Sequence, residues 1–225
     1  MGAPLKDIYR NMIQLGLASL ASAQLHASTS SDNPFWPELS VIQAAHAAEI
    51  LIKARIAQEH PLLIFETLPK LHNFQGDFLS HEDLVENART FQFFDLPDRL
   101  AATTGVRLQN VALYREFGRL RNSIQHFSAP SLSDCDIRTL TFIYGVIDPL
   151  IFECWGQSAI DFNDDYEDIY LVEALIRNEI LFTVSSEFFS YYRDIPVDLE
   201  IDTLYLAEMR RRIEARKKAL ENGSA

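Results

Sequence analysis

An all-α fold is predicted for this chain by two features of its patterning and one of its composition. Apolar residues recur at steps of three and four along most of the sequence, and the strict apolar/polar alternation of half-buried strands is nearly absent. With 225 residues, 48% of them hydrophobic, the chain can bury a full core. A domain of ~100 to 200 residues is the common size, which predicts a single helical domain over residues 1–225.

The elements follow in order. A first helix is predicted from Pro4 to Gln24, with Leu5, Ile8, Met12 and Leu15 on one face. Ser28 to Pro37 reads as a loop from its Ser, Asn and Pro content. A second helix covers Glu38 to His60, where Val41, Ala45, Ala48, Ile52 and Ile56 form an apolar stripe and Pro61 lies just past the end. Between Leu62 and Gly105 the pattern is broken by Pro69, Gly76 and Pro97, and Phe91, Phe93 and Phe94 cluster. Two short helices are expected there, Ser80–Ala88, with Ser80 as cap three residues before Asp83, and Leu96–Thr103. A long helix is predicted from Val106 to Phe127, and another from Asp134 to Cys154 that Pro149 kinks or divides. Tyr166–Phe182, Ser185–Tyr192 and Asp202–Glu221 complete the set, and there is no internal repeat.

Charge and composition narrow the function. The net charge of −12 excludes a surface that is basic throughout, so nucleic-acid contact must come from a local patch. Fifteen of the twenty basic residues are arginine, suited to bidentate phosphate contacts but equally to surface pairing. Cys135 and Cys154 form no CxxC pattern and read as buried free thiols. The most apolar stretch, Thr139–Trp155, is interrupted by Asp148, Pro149 and Glu153 and is too short to span a bilayer, so no membrane partner is expected. Met12–Ala23 faintly resembles a secretion signal, but Asp7 and Gln14 spoil its flank and its apolar run, and a cytoplasmic location is expected. His26, His60, His72 and His81 show no HExxH pairing. No phosphate-cradling glycine loop, GxSxG elbow or CxxC redox pair occurs, so neither a metal site nor a cofactor is expected. The acidic run Asp161–Asp168 begins like a calcium loop, yet Tyr166 replaces the required glycine and Val172 the closing glutamate, so helix capping is expected instead.

The run Arg119-Leu120-Arg121-Asn122-Ser123-Ile124-Gln125-His126-Phe127, followed by Ser128-Ala129-Pro130, carries the most chemistry. An imidazole moves protons near neutral pH and a guanidinium holds a phosphate, a pairing sufficient to cleave RNA without a metal. At 100° per residue, Arg115, Arg119, Asn122 and His126 share one face, while Arg121 lies about 140° from His126. Arg121 therefore reaches the same site only at a helix end or where a second subunit closes the pocket. The alternative is a solvated face whose C-terminal histidine meets the helix dipole.

The segment Arg121-Asn122-Ser123-Ile124-Gln125-His126 resembles the Rx4-6H signature of the HEPN family, in which a polar residue commonly follows the arginine. Upstream, Ala44-Ala45-His46-Ala47-Ala48-Glu49-Ile50-Leu51-Ile52-Lys53-Ala54 resembles the opening helix of that all-α family. The resemblance covers roughly residues 38–155. Many HEPN proteins are metal-independent ribonucleases of toxin–antitoxin, abortive-infection or CRISPR-associated systems, working as homodimers whose paired motifs form one cleft. It implies Arg121, His126 and Asn122 as catalytic residues, and Arg115, Arg119 and Arg107 as contacts to the RNA backbone. The products would be a 2′,3′-cyclic phosphate and a 5′-OH, and an antitoxin or another defence protein would be a partner. Relatives controlled by adenylylation carry a tyrosine two residues after the histidine; Ser128 stands there in this chain. His46, Glu49 and Lys53 lie on one side of their helix and offer a supporting polar group, or else an ordinary ion pair. The basic run Arg210 to Lys218 offers a second contact to RNA or an acidic partner, against a solvated face. The rival reading is a catalytically silent HEPN-like module that binds RNA, a nucleotide or a protein; a third is a helical scaffold without a ligand.

Overall fold

A computed structural model describes residues 7–29, 33–70, 81–127, 134–162, 168–191 and 203–222. The fold is all-α. Its helices are α1 (Ile8–Ser28), α2 (Trp36–Glu59), α3 (His81–Asn87), α4 (Leu96–Thr104), α5 (Val111–Phe127), α6 (Cys135–Phe142), α7 (Asp148–Trp155), α8 (Asp168–Arg177), α9 (Ser186–Tyr191) and α10 (Thr203–Glu221). The chain divides into two compact units, one of Met1–Leu17 with His46–Leu108 and one of Ala18–Ala45 with Gln109–Ala225. Both α1 and α2 contribute residues to each.

In the first unit, α1 passes close to α2 because residue 16 is glycine. A β-carbon there would stand 2.7 Å from Leu51 Cγ and 2.8 Å from Cδ2. Leu51 is wholly buried and has nowhere to swing. Gly16→Ala is therefore expected to destabilise the protein by about 1–3 kcal/mol through overpacking, which a thermal melt reads as a fall of roughly 2–4 °C per kcal/mol. Beyond α2, the His60 imidazole accepts the Leu62 N–H and caps a 3-10 turn over Pro61–Ile64. The chain then enters β1 (Phe65–Thr67), which pairs antiparallel with β2 (Arg89–Thr90). This ladder, the only strand pairing among the described residues, was not expected from sequence; its strands are of three and two residues, too short for alternation to show. Arg99 ties α4 back by donating to the Leu63 carbonyl at 3.0 Å while lying over the Phe91 ring. Gly105, in the left-handed region at φ 76°, ends α4.

The second unit is built on an aromatic core. Phe117 of α5 stacks on Phe142 of α6 with ring centroids 3.9 Å apart, and Tyr144, Phe182 and Phe188 continue the cluster edge to face. One fully buried amide joins three segments: Gln24 Nε2 donates to the carbonyls of Ala159 (3.1 Å) and Phe162 (2.6 Å), and its Oε1 accepts the Tyr144 hydroxyl at 2.6 Å.

Several boundaries depart from expectation for identifiable reasons. α1 runs past Gln24 to Ser28, since nothing in Leu25-His26-Ala27 stops a helix, and the Leu25 carbonyl takes both the N–H and the hydroxyl of Thr29. Leu15, expected on its apolar face, is 52% exposed; Leu20, Ala23 and Ala27 are the buried positions. α5 begins at Val111, not Val106, because Asn110 turns into the left-handed region at φ 52° and its carbonyl takes the Tyr114 N–H. The irregularity expected at Pro149 is a π-turn over Ile143–Ile147 immediately upstream, where the Asp148 N–H bonds the Ile143 carbonyl. A widened turn relieves the clash that a proline ring makes with the turn before it. α8 stops at Arg177 rather than Phe182: the Ile180 N–H bonds the Leu175 carbonyl and the Glu179 N–H that of Ile176, closing a Schellman end with Glu179 left-handed at φ 53°. A glycine normally signals that stop, and none is present. Ser80, the expected cap of α3, and Pro4 lie outside the described residues, as do Ser128 to Pro130.

Candidate functional site

The polar face of α5 is formed as its spacing predicts. Tyr114, Phe117, Leu120 and Ile124 turn inward and are buried, which leaves Arg115, Arg119 and His126 exposed and Asn122 half-buried on the solvent side. The helix remains regular through Phe127, so the 140° between Arg121 and His126 persists within one chain. Arg121 is half-buried, and its Nη1 donates to Asn122 Oδ1 at 2.9 Å. Glu116, the one acid of this helix, accepts a bond from Arg138 Nη2 of α6 at 3.1 Å. Arg138 thus cancels the only negative charge on α5 and brings another guanidinium beside the strip, a contribution that sequence reasoning missed because it comes from the next helix.

Other candidates fall elsewhere. Arg107 is exposed in the loop before α5 and not on its face, a correction that follows from the late start at Val111. Lys53 Nζ is 2.7 Å from Glu49 Oε1 and 3.1 Å from Thr90 Oγ1, with its side chain only 8% exposed, and His46 on the same helix is exposed. These contacts give Lys53 a structural role, holding β2 to α2. In α10, Arg211 and Arg212 both grip Glu208, holding its carboxyl down to about 2, while Arg212 Nη1 donates to the Phe182 carbonyl at 2.8 Å and Arg216 bonds the Ser186 hydroxyl. The basic run is therefore partly spent on packing α10 against the segment that precedes and opens α9. Asp161 accepts the Ser185 hydroxyl, and the middle of its acidic run lies outside the described residues. Cys135 is buried, and that burial pushes its thiol up, away from thiolate chemistry; Cys154, expected buried, is half-exposed. Among the described residues no group of three or more His, Cys, Asp or Glu side chains could hold a metal ion, and no helix is long and apolar enough to cross a membrane.

The second unit also holds a groove of about 870 Å³ that sequence reasoning missed, lined by the π-turn and α7, by residues 178–183, and by Arg212. Asp148 lies at its inner wall, 2% exposed. Its Oδ1 accepts the Ala159 N–H at 2.8 Å, and its Oδ2 accepts the Thr183 N–H at 3.1 Å and the Thr183 hydroxyl at 2.6 Å. Burial raises the Asp148 carboxyl above its ordinary value, outweighing these three bonds and the nearby Arg212, all of which favour the carboxylate. The only sequence signal was Pro149, read as a kink. The groove adjoins the start of α5, whereas His126 sits near the other end, about 22 Å along the axis of a helix rising 1.5 Å per residue. No protein-family model, no curated protein and no solved structure matches this chain.

Proposed function

We propose that this chain is a metal-independent endoribonuclease of a bacterial toxin–antitoxin or phage-defence system, acting in the cytoplasm as a homodimer. The observation that carries the reading is the solvent face of α5, where Arg115, Arg119, Asn122 and His126 stand together and the helix's sole acid is neutralised by Arg138. Such a strip gives a locally basic track for a phosphate backbone within an acidic protein. In the chemistry that the Rx4-6H resemblance implies, the ribose 2′-oxygen attacks the adjacent phosphorus and the 5′-oxygen leaves. His126 accepts the 2′-OH proton or delivers one to the leaving oxygen, and Arg121 stabilises the charge of the pentacovalent phosphate. The products are a 2′,3′-cyclic phosphate and a 5′-OH. Because Arg121 and His126 point to different sides of one helix, a second copy completes the cleft; an antitoxin or defence protein would control it.

The Arg121–Asn122 bond favours a second reading, a catalytically silent module that binds RNA or a partner, since it engages the arginine within its own helix. Purified protein incubated with total RNA in EDTA separates the two. Cleavage leaving cyclic-phosphate ends, abolished in Arg121→Ala, supports the enzyme; RNA retained on the protein but left intact supports the module. Backbone binding has a further signature. Arg119→Ala is expected to reduce the slope of log affinity against log salt by about 0.7 on single-stranded RNA, with no change in sequence preference, as measured by fluorescence anisotropy at several salt concentrations.

A further inference from the structure

The groove against α7 is independent of the α5 face, and its chemistry is distinct. Its exposed acids are Glu153 and Glu179, with Asp148 buried in the wall behind them, and its one lining cation, Arg212, already pairs with Glu208 at 2.9 Å. The lining is therefore negative. It is apolar as well: Phe152 is 50% exposed and Leu181 37%, so two large side chains face solvent where the groove runs. Between the Schellman end of α8 and the Thr183–Asp148 bonds, residues 180–183 belong to no helix or strand. Among the described residues, neither the N–H nor the C=O of Leu181 has a hydrogen-bond partner.

We propose that this groove binds an extended, lysine- or arginine-bearing peptide segment of a protein partner. Such a segment alone supplies all three complements: main-chain groups for Leu181, an apolar side chain for Phe152 and Leu181, and a cation beside Glu153. A small polyamine would meet only the charge, and an RNA strand would be repelled by it. The volume lies within the usual range for ligand clefts, roughly 300–1,000 Å³.

Fluorescence anisotropy with two labelled peptides, Lys-Val-Lys-Val-Lys and Glu-Val-Glu-Val-Glu, tests this on the full chain. The lysine peptide is expected to bind and the glutamate peptide not to. Glu153→Lys is expected to weaken the lysine peptide about fivefold or more by replacing attraction with repulsion; Phe152→Ser is expected to weaken it as well, and His126→Ala to leave it unchanged. Both substituted positions are exposed, and circular dichroism checks that the variants remain folded. Equal binding of the two peptides overturns the proposal, as does indifference to both groove variants. Displacement by spermine as effective as by unlabelled peptide would reassign the groove to small polycations. A dimer that becomes monomeric in Phe152→Ser, read by sedimentation velocity, would reassign it to a second copy of the chain; either result overturns the proposal.

Discussion

Alanine in place of His126 is expected, on the ribonuclease proposal, to lower the rate of RNA cleavage by about 10²- to 10⁴-fold, the usual share of a general acid or base. The ribose hydroxyl is a weak nucleophile and the 5′-oxygen a poor leaving group, so removal of the proton carrier leaves water to do both tasks. The fold is not expected to suffer. His126 is exposed near the end of α5, and the inward face of that helix is carried by Tyr114, Phe117, Leu120 and Ile124. The melting temperature should stay within the ordinary range for a surface substitution, an effect of roughly 0.5 kcal/mol or less. RNA affinity should persist as well, because Arg115 and Arg119 remain on the strip. Single-turnover cleavage in EDTA, run beside a binding assay, separates these effects, and a variant that still cleaves at the parental rate would remove the ribonuclease proposal.

Asp148→Ala should act on stability instead, costing about 3 kcal/mol. Truncation leaves the Ala159 N–H, the Thr183 N–H and the Thr183 hydroxyl without their acceptor, and each buried orphan costs about 1–3 kcal/mol less whatever water recovers. In a thermal melt that is a fall of about 6–12 °C for a chain of this size. Asp148→Asn keeps one acceptor oxygen but aims an amide at donors, so an intermediate loss is expected. The carboxyl also has a pH signature. Burial raises its folded value above the ordinary 3.8, so the native state holds this proton more tightly than the unfolded chain. The stability it contributes is present below 3.8 and is lost as pH rises through the raised folded value. Asp161 is also raised, chiefly by burial, and contributes in the same direction. Denaturant melts across that acidic range should show a steeper decline with rising pH in the parent than in Asp148→Asn, and equal slopes would count against the assigned shift.

The strongly periodic segments are legible in the sequence. α2, α3, α4, α9 and α10 lie within a few residues of their predicted spans, since burial of one face imposes steps of three and four that local sequence displays. The polar strip on α5 was legible for the same reason, because residues that share a helix face share it whatever surrounds them. The end of α8 was not legible. It rests on Glu179 in a conformation that favours glycine, and a chain adopts such a conformation only when contacts elsewhere offset its cost. The start of α5 was hidden for another reason: the apolar pattern continues back to Val106, but Asn110 turns left-handed and the helix begins five residues later, which places Arg107 in the preceding loop.

Sequence sufficed for the all-α class, the order of the longer helices and the chemical character of the α5 face, all properties written in neighbours a few positions apart. The cancellation of Glu116 by Arg138, the buried amide of Gln24 and the groove around Asp148 join residues 22, 135 and 35 positions apart respectively, and no local pattern encodes such pairings. They exist because burial leaves each polar group in need of a partner, and only the folded chain determines which partner is near.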